Sequence, residues 1–197
     1  MAADAKSVKE LRDMSGAGIL DCKKALDEAG GDVEKAMVLL REKGLKIASK
    51  KAGREASEGR VEAYVHHDSK IGVLVQVNCE TDFVAMNDQF KEFCHDLAMH
   101  IAATDPQVIS KEDLPEEQVE QEQAILLKQL EDSGKPDNIK EKIVEGRMKK
   151  FYGEVCLLEQ EWMHDSDAGT VGQVLTELIA KIGENIVVRH FARYSVR

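Results

Sequence analysis

The sequence predicts an α+β protein with an N-terminal module of three short helices, a basic helical linker, and a core in which a small antiparallel sheet is covered by helices. Three observations predict this class. Apolar residues recur at helical spacing through the first fifty positions, alternating apolar runs follow at 61–65 and 71–77, and two long amphipathic stretches lie between 116 and 160. Strands in one region with helices on either side are typical of this architecture.

Composition limits the possible functions. The chain has 197 residues, of which 43% are hydrophobic and 32% charged, and its formal net charge is −10. These values suit one main domain with a smaller satellite. An acidic surface repels a phosphate backbone, so we expect no direct binding of nucleic acid.

The short apolar runs, the acidic N-terminal region and the cysteine spacing favour a cytoplasmic location. The longest apolar runs, such as 71–77, are far shorter than the roughly 20 residues that cross a bilayer, and Asp4 is acidic where a signal peptide would be basic. No Cys-x-x-Cys pair occurs, which favours reduced thiols over a zinc site or a secreted disulfide framework. The cysteines are Cys22, Cys79, Cys94 and Cys156. We therefore expect a cytoplasmic protein that is not bound to a membrane.

The three-helix module is predicted to span residues 1–44. Its helices are short because glycines interrupt the apolar periodicity. The predicted signals are, in chain order, a capping box at Ser7 and Glu10, a break at Gly16 and Gly18, a stop at Gly30 and Gly31, an N-cap at Asp32 and a stop at Gly44.

Residues 45–59 are basic and polar and are predicted to form a helical linker. Lys46, Lys50 and Arg54 recur at four-residue steps, which places them on one helical face. A solvated linker face is the plainer interpretation of these charges. An RNA-binding face is the alternative, although it lacks the interleaved aromatic residues on which bases stack.

The core is predicted to span residues 60–197. It begins with a β-hairpin at 60–79 and continues with a helix at 87–104 that covers the sheet. A helical hairpin at 116–160 is interrupted at 134–136, and a last helix and strand occupy 170–196, with the strand joining the sheet. The residues expected to face inward from helix 87–104 are Phe90, Phe93 or Cys94, Leu97 and Ile101.

A polar and apolar run at 78–90, NCETDFVAMNDQF, lies between the second predicted strand and the helix. On pattern alone, Thr81 or Asp82 would cap the helix and Phe83 would fill the core, as in many unrelated proteins.

This run resembles the signature of the bacterial elongation factor Ts family, and the resemblance spans nearly the whole chain. It continues in GAGILDCKKALDEAGGDVEKAMVLLREKG, GKPDNIKEKIVEGRMKKFYGEVCLLEQ and IGENIVVRHFARY. The chain is similar to the short members with a single core repeat. The resemblance implies an N-terminal module similar to ubiquitin-associated domains. It also implies a translation factor that promotes exchange of GDP for GTP on elongation factor Tu.

The resemblance also implies two binding surfaces for that GTPase. The first is the turn formed by Thr81, Asp82, Phe83 and Val84, which would insert between two helices of the nucleotide domain and dislocate Mg²⁺. The second is the loop and helix start formed by Gly16, Ala17, Gly18, Ile19 and Leu20. Because adjacent helical residues point in different directions, we expect Ile19 or Leu20 to be exposed. A homodimer is expected to replace the second repeat of longer members.

Enzymatic chemistry is not expected. Cys94, His95 and Asp96 are consecutive on a predicted helix and cannot form a nucleophile, base and orienting group among themselves. No histidine pair has a metal-ligand motif, so neither a metal nor a cofactor is expected. No phosphate-binding loop of the Gly-x-x-x-x-Gly-Lys-Ser/Thr kind occurs, so nucleotide should be bound by the partner only. An RNA-associated adaptor and a peptide-binding module built on the first fifty residues are the alternatives.

Overall fold

The computed structural model describes residues 4–131 and 136–196 and confirms the α+β class. The strands form one antiparallel sheet in the order β1-β2-β3. The helices and strands are α1 Ala5–Ser15, α2 Ile19–Glu28, α3 Val33–Lys51, β1 Glu58–Val65, β2 Ile71–Cys79, α4 Asp82–Ala85, α5 Asp88–Thr104, α6 Glu116–Lys128, α7 Asp137–Val155, α8 Val171–Ile182 and β3 Ile186–Ser195.

The chain divides into two compact units that do not follow the predicted segment boundaries, which stay predictions. The first unit comprises the described residues of Met1–Arg60, Val77–Lys91 and Leu175–Val187. The second comprises the described residues of Val61–Gln76, Glu92–Val174 and Val188–Arg197.

The N-terminal helices of the first unit pack around one small core. Gly16 ends α1 with φ 64°, and the Asp32 carboxylate accepts the backbone N–H of Lys35 at the start of α3, as predicted. The predicted capping box at Ser7 is wrong, because the Asp4 carboxylate caps α1 by accepting the N–H of Ser7 at 2.7 Å. The buried residues of this core are Leu11, Cys22, Ala25, Leu26 and Ala36.

The third helix continues through Gly44, so the prediction that it ends there is wrong. α3 runs to Lys51, and Gly44 is buried within it. A Cβ at Gly44 would lie 3.5 Å from the Cβ of Ala180 in α8, so the glycine lies at a close helix-helix contact rather than at a stop. The first part of the predicted linker is therefore the end of α3. Arg54 lies beyond that end, so it does not share a helical face with Lys46 and Lys50.

The predicted β-hairpin and its polar turn are confirmed. The N–H of His66 donates to the carbonyl oxygen of Ile71 at 2.8 Å, and the Asp68 carboxylate accepts the N–H of Lys70 at 3.0 Å. Ser69 has φ 58°, a left-handed conformation that tight turns require. β3 joins the hairpin in one sheet, as predicted, and it lies beside β2.

In the second unit, α5 lies against one face of the sheet. His95 on α5 pairs with Glu62 on β1 at 3.2 Å, and the Arg193 guanidinium on β3 donates to the carbonyl oxygen of Ala102 at 3.1 Å. Phe93, Cys94, Leu97 and Ile101 are buried as predicted. The helical hairpin appears as α6 and α7, and most of its predicted break, at 134–135, falls outside the described residues.

We predict that Gly59→Ala destabilises the first unit. Gly59 has φ 140°, and a Cβ there would lie 2.2 Å from the carbonyl oxygen of Val77 and 2.7 Å from the Cα of Asn78. Backbone atoms cannot rotate away, so the free energy of unfolding should fall by about 2 kcal/mol or more. Denaturant unfolding measures it. Gly72→Ala is the matched control, since its Cβ would meet nothing within 4 Å. Equal effects of the two substitutions would contradict the account.

Candidate functional site

The predicted turn is a single helical turn that begins immediately after β2. Thr81 is the N-cap of α4, and its hydroxyl oxygen accepts the N–H of Val84 at 3.4 Å. The carbonyl oxygen of Asp82 accepts the N–H of Met86 at 3.1 Å, which closes the turn. Of the two candidate caps, Thr81 therefore has this role.

Phe83 projects into solvent from this turn. It is 82% exposed, and of its two neighbours in the chain Asp82 is exposed and Val84 is partly buried. The expectation from pattern alone, that Phe83 fills the core, is wrong. An exposed aromatic ring of this size can supply a large apolar contact to another molecule.

Glu184 holds the start of the turn from below. Its carboxylate accepts the N–H of Glu80 at 3.1 Å, the N–H of Thr81 at 3.0 Å and the hydroxyl of Thr81 at 2.7 Å. Backbone N–H groups that precede a helix have no partner within it, so the carboxylate satisfies two donors that the local sequence leaves open.

Glu80 in turn binds the segment that carries Glu184. Its carboxylate accepts the N–H of Asn185 at 2.7 Å and pairs with the Arg54 guanidinium at 3.3 Å. The Asn185 N–H and, to a smaller extent, the Arg54 guanidinium lower the pKa of Glu80 from its ordinary value of 4.5. Asn185 also donates through its side chain to the carbonyl oxygen of Arg54 at 2.7 Å. Residues 80–81 and 184–185 thus bind each other in both directions.

Cys79 lies buried at the end of β2, directly before this network. Its thiol donates to the carbonyl oxygen of Thr81 at 3.1 Å, and burial raises its pKa to about 11. The thiol is therefore protonated at neutral pH and acts as a donor rather than as a nucleophile.

The second predicted surface surrounds the loop between α1 and α2. Gly18 is the N-cap of α2 in an extended conformation, and Ala17 packs against the small core. Ile19 is 56% exposed and Leu20 is 72% exposed, so both side chains are open where at least one was expected to be. Gly16 to Leu20 and the turn at Thr81 to Val84 belong to the same compact unit.

The sequence interpretation missed Glu80, Glu184 and Asn185, and it placed Arg54 on a basic helical face rather than in this network. A signal for two of them was present, because Glu184 and Asn185 form a polar pair between the helix stop at Gly183 and the apolar start of β3. Polar side chains are unfavourable next to a buried core unless they have hydrogen-bond partners. A partner elsewhere in the chain was therefore the natural inference.

The residues considered for catalysis have separate surroundings, and His66 and His67, considered for metal binding, contact each other through their rings, whose centroids lie 4.2 Å apart. Cys94 is buried in the core, whereas His95 is exposed and binds Glu62. His100 is buried, its Nε2 lies 3.0 Å from the Gln160 side-chain oxygen, and burial lowers its pKa from 6.5. Within residues 4–131 and 136–196, no three His, Cys, Asp or Glu side chains gather where they could bind a metal ion. Nor does any described helix have the length and apolar character needed to span a membrane.

Comparison with known proteins assigns the family. Residues 3–177 match the family model described as Elongation factor TS. The chain belongs to the elongation factor Ts family. It is therefore of the translation elongation factor class, and the resemblance inferred from the sequence is confirmed.

Curated relatives cover almost the whole of this family member. Elongation factor Ts of Caldanaerobacter subterraneus subsp. tengcongensis is 58% identical over 190 residues, which is 96% of this chain and 94% of that protein. The Herpetosiphon aurantiacus protein is 55% identical over 196 residues, with coverage of 100% and 98%. The Geobacter metallireducens protein is 56% identical over 196 residues, with coverage of 100% and 90%. The turn and the segment that holds it both fall within these matched regions.

We predict that Glu80→Gln flattens the acid side of the stability profile. The folded pKa of Glu80 is lowered, so its ionised form stabilises the fold above about pH 4.5. That contribution is lost as the pH falls through the lower folded pKa. Melting temperatures measured between about pH 7 and pH 3 should therefore fall less steeply below pH 4.5 in the variant than in the natural protein.

The control for this experiment is Glu55→Gln, which neutralises an exposed carboxylate of the same unit. It should leave the slope of the profile as it is in the natural protein. Identical slopes for the natural protein and Glu80→Gln would show that the contact between Glu80 and Asn185 does not favour the folded state.

Proposed function

We propose that this protein promotes release of GDP from elongation factor Tu and so allows GTP to bind. The observation that carries the proposal is Phe83, which is 82% exposed on a turn whose backbone is held by Glu184. Family membership supplies the choice of partner. We place the activity in the cytoplasm, as expected from the sequence.

Exchange of this kind follows from linkage between two binding events. A GTPase holds its diphosphate and Mg²⁺ through a phosphate loop and metal contacts. A partner that prefers the empty conformation weakens nucleotide binding by the same factor by which nucleotide weakens binding of the partner. No covalent step is required, so the proposal assigns no catalytic residue, no cofactor and no nucleotide site to this chain.

The turn supplies an apolar group and a charge at one place. Phe83 would enter an apolar pocket of the GTPase, and its burial would contribute roughly 1.5 to 3 kcal/mol. The Asp82 carboxylate would lie beside it and disturb the switch region, with loss of Mg²⁺ and phosphate contacts as the consequence. Thr81 and Val84 would hold the two in place, because Thr81 caps the turn by accepting the N–H of Val84, and Val84 is partly buried.

The surface from Gly16 to Leu20 would supply a second contact with the nucleotide domain. Ile19 and Leu20 are adjacent exposed apolar residues at the first turn of α2. Burying both adds contact area away from the nucleotide, which strengthens the complex without itself touching the phosphates.

We predict that Phe83→Ala slows GDP release by about tenfold to a hundredfold, the equivalent of losing roughly 1.5 to 3 kcal/mol of contact at about 1.4 kcal/mol per decade. Stopped-flow release of labelled GDP from elongation factor Tu measures the effect. Ile125→Ala is the matched control, since Ile125 is 51% exposed on α6, in the other unit.

The control should exchange nucleotide at the natural rate. If Phe83→Ala also releases GDP at the natural rate, the exposed ring is not the group that acts on the partner. If the natural protein itself fails to accelerate release, the exchange function is wrong for this chain.

We also propose that two copies associate through the face of the sheet opposite α5. The side chains that alternate outward on β1 and β2 include Val61, Val65 and Leu74, which are 62%, 66% and 51% exposed. Tyr194 in β3 and Val196, just beyond the end of β3, are 75% and 71% exposed. On β1 and β2, the outward positions at 61, 63, 65, 72, 74 and 76 hold no acidic or basic residue, so this part of the face would bring no like charges together in an otherwise acidic protein.

We predict that Leu74→Glu shifts the protein to the monomer mass in analytical ultracentrifugation. A two-fold interface would bring two added carboxylates together in an apolar contact, which is strongly unfavourable. Ile125→Glu adds the same charge to an exposed position on α6 and should not change the mass. A natural protein that is monomeric at working concentration and fully active would overturn the proposal.

A further inference from the structure

We propose that Glu184 is a positioning residue for nucleotide exchange, because its carboxylate fixes the orientation in which the turn presents Phe83. The inference rests on the proposed exchange function and deepens it. Glu184 does not touch the partner surface in this account. It acts through Glu80 and Thr81, whose two N–H groups and one hydroxyl donate to its carboxylate.

The turn needs such support because it is short. α4 contains four residues, and one helical turn does not stabilise itself in water. Burial of side chains contributes little to the order of the turn, because Asp82, Phe83 and Met86 are all exposed. What orders the turn must therefore come largely from hydrogen bonds at its start.

Two hydrogen bonds from Thr81 connect Glu184 to the turn that carries Phe83. The Thr81 hydroxyl donates to Glu184 at 2.7 Å, which turns its oxygen lone pairs toward the N–H of Val84 at 3.4 Å. The N–H of Thr81 is held by the second carboxylate oxygen at 3.0 Å. Both the backbone and the side chain of the N-cap are thus fixed, and Phe83 is the second residue of the helix that follows.

Glu184 is itself held in place. Its neighbour Asn185 donates backbone and side-chain N–H groups to the Glu80 carboxylate and to the Arg54 carbonyl oxygen, each at 2.7 Å. Gly183 ends α8 with φ 83°, so the chain leaves the helix directly into this network. A charged acceptor with a fixed backbone loses little entropy when it orders another segment.

The same segment also contacts the N-terminal helices. Arg41 on α3 pairs with Glu177 on α8 at 3.5 Å, and Gly44 on α3 lies against Ala180. α8, which leads into Glu184, is therefore packed on α3. α3 follows α2, and α2 carries Ile19 and Leu20. Glu184 thereby places the turn relative to the second predicted surface within one compact unit.

Preorganisation of this kind acts on affinity. If the binding-competent turn is populated only a fraction of the time, the apparent dissociation constant rises by the reciprocal of that fraction. Once the complex has formed, the turn is in place and the release step is little changed. Loss of Glu184 should therefore raise the half-saturating concentration in the exchange assay and leave the maximal rate nearly constant.

The experiment compares the natural protein, Glu184→Ala, Phe83→Ala and the double variant over a range of concentrations, with release of labelled GDP from elongation factor Tu as the readout. Glu184→Ala should raise the half-saturating concentration about tenfold, with a maximal rate within about twofold of the natural one. In the Phe83→Ala background the same change should have less than about a twofold effect, because the positioned ring is absent.

Two further variants separate positioning from general stability. Glu184→Gln should retain most activity, since its amide oxygen can accept both N–H groups while its NH₂ donates to the Thr81 hydroxyl. Glu161→Ala, which removes an exposed carboxylate of the other unit, should have no effect. If Glu184→Ala does not fold, Thr81→Val removes both the hydroxyl's hydrogen bond to Glu184 and the cap on the Val84 N–H, and it is judged by the same dependence on Phe83.

Hydrogen exchange of the isolated protein gives a readout that needs no partner. Glu184→Ala should speed exchange at the amides of Glu80, Thr81 and Val84 while the buried helix α5 keeps its protection. Unchanged exchange at these amides would overturn the proposal, as would an equal loss of affinity with and without Phe83. A natural protein that fails to accelerate GDP release from elongation factor Tu would instead refute the exchange function, and the hydrogen-exchange result would still decide the role of Glu184 at the turn.

Discussion

The contact between the Glu184 carboxylate and the backbone of residues 80–81 is the interaction on which the candidate site depends. It joins positions more than a hundred residues apart in sequence and satisfies donors that neither β2 nor α4 can satisfy. A buried or half-buried backbone N–H without a partner is costly, so the two segments stabilise each other. The position of the exposed Phe83 ring therefore depends on a contact with a segment that is distant in sequence, in addition to contacts with its neighbours in the chain.

Local rules predicted most of the secondary structure. Alternation placed the hairpin, and helical spacing placed α5 and its buried residues Phe93, Leu97 and Ile101. The errors came from tertiary contacts that a local rule does not include. Glycine is typical of helix ends, yet Gly44 lies inside α3, where the close approach of Ala180 favours a small residue. Asp4 capped the first helix in place of Ser7 because two acceptable caps were within one turn of each other.

The candidate site was predictable in part. The residues of the turn and of the loop before α2 were identified from their resemblance to a family, and their exposure is a property that the pattern alone assigned wrongly for Phe83. The residues that hold the turn were out of reach, because hydrogen bonds between positions 80 and 184 leave no periodicity in the sequence. An isolated polar pair such as Glu184 and Asn185 indicates that a partner exists, but only the fold reveals which backbone it binds.

The continuity of α3 determines how the N-terminal helices can be studied on their own. A polypeptide cut at position 44 would sever this helix within its length and leave the severed end without its last two turns. It would also expose the glycine face that α8 normally covers. A recombinant fragment intended to report the behaviour of these helices should therefore extend past Lys51, and an inactive shorter peptide would say more about fraying than about recognition.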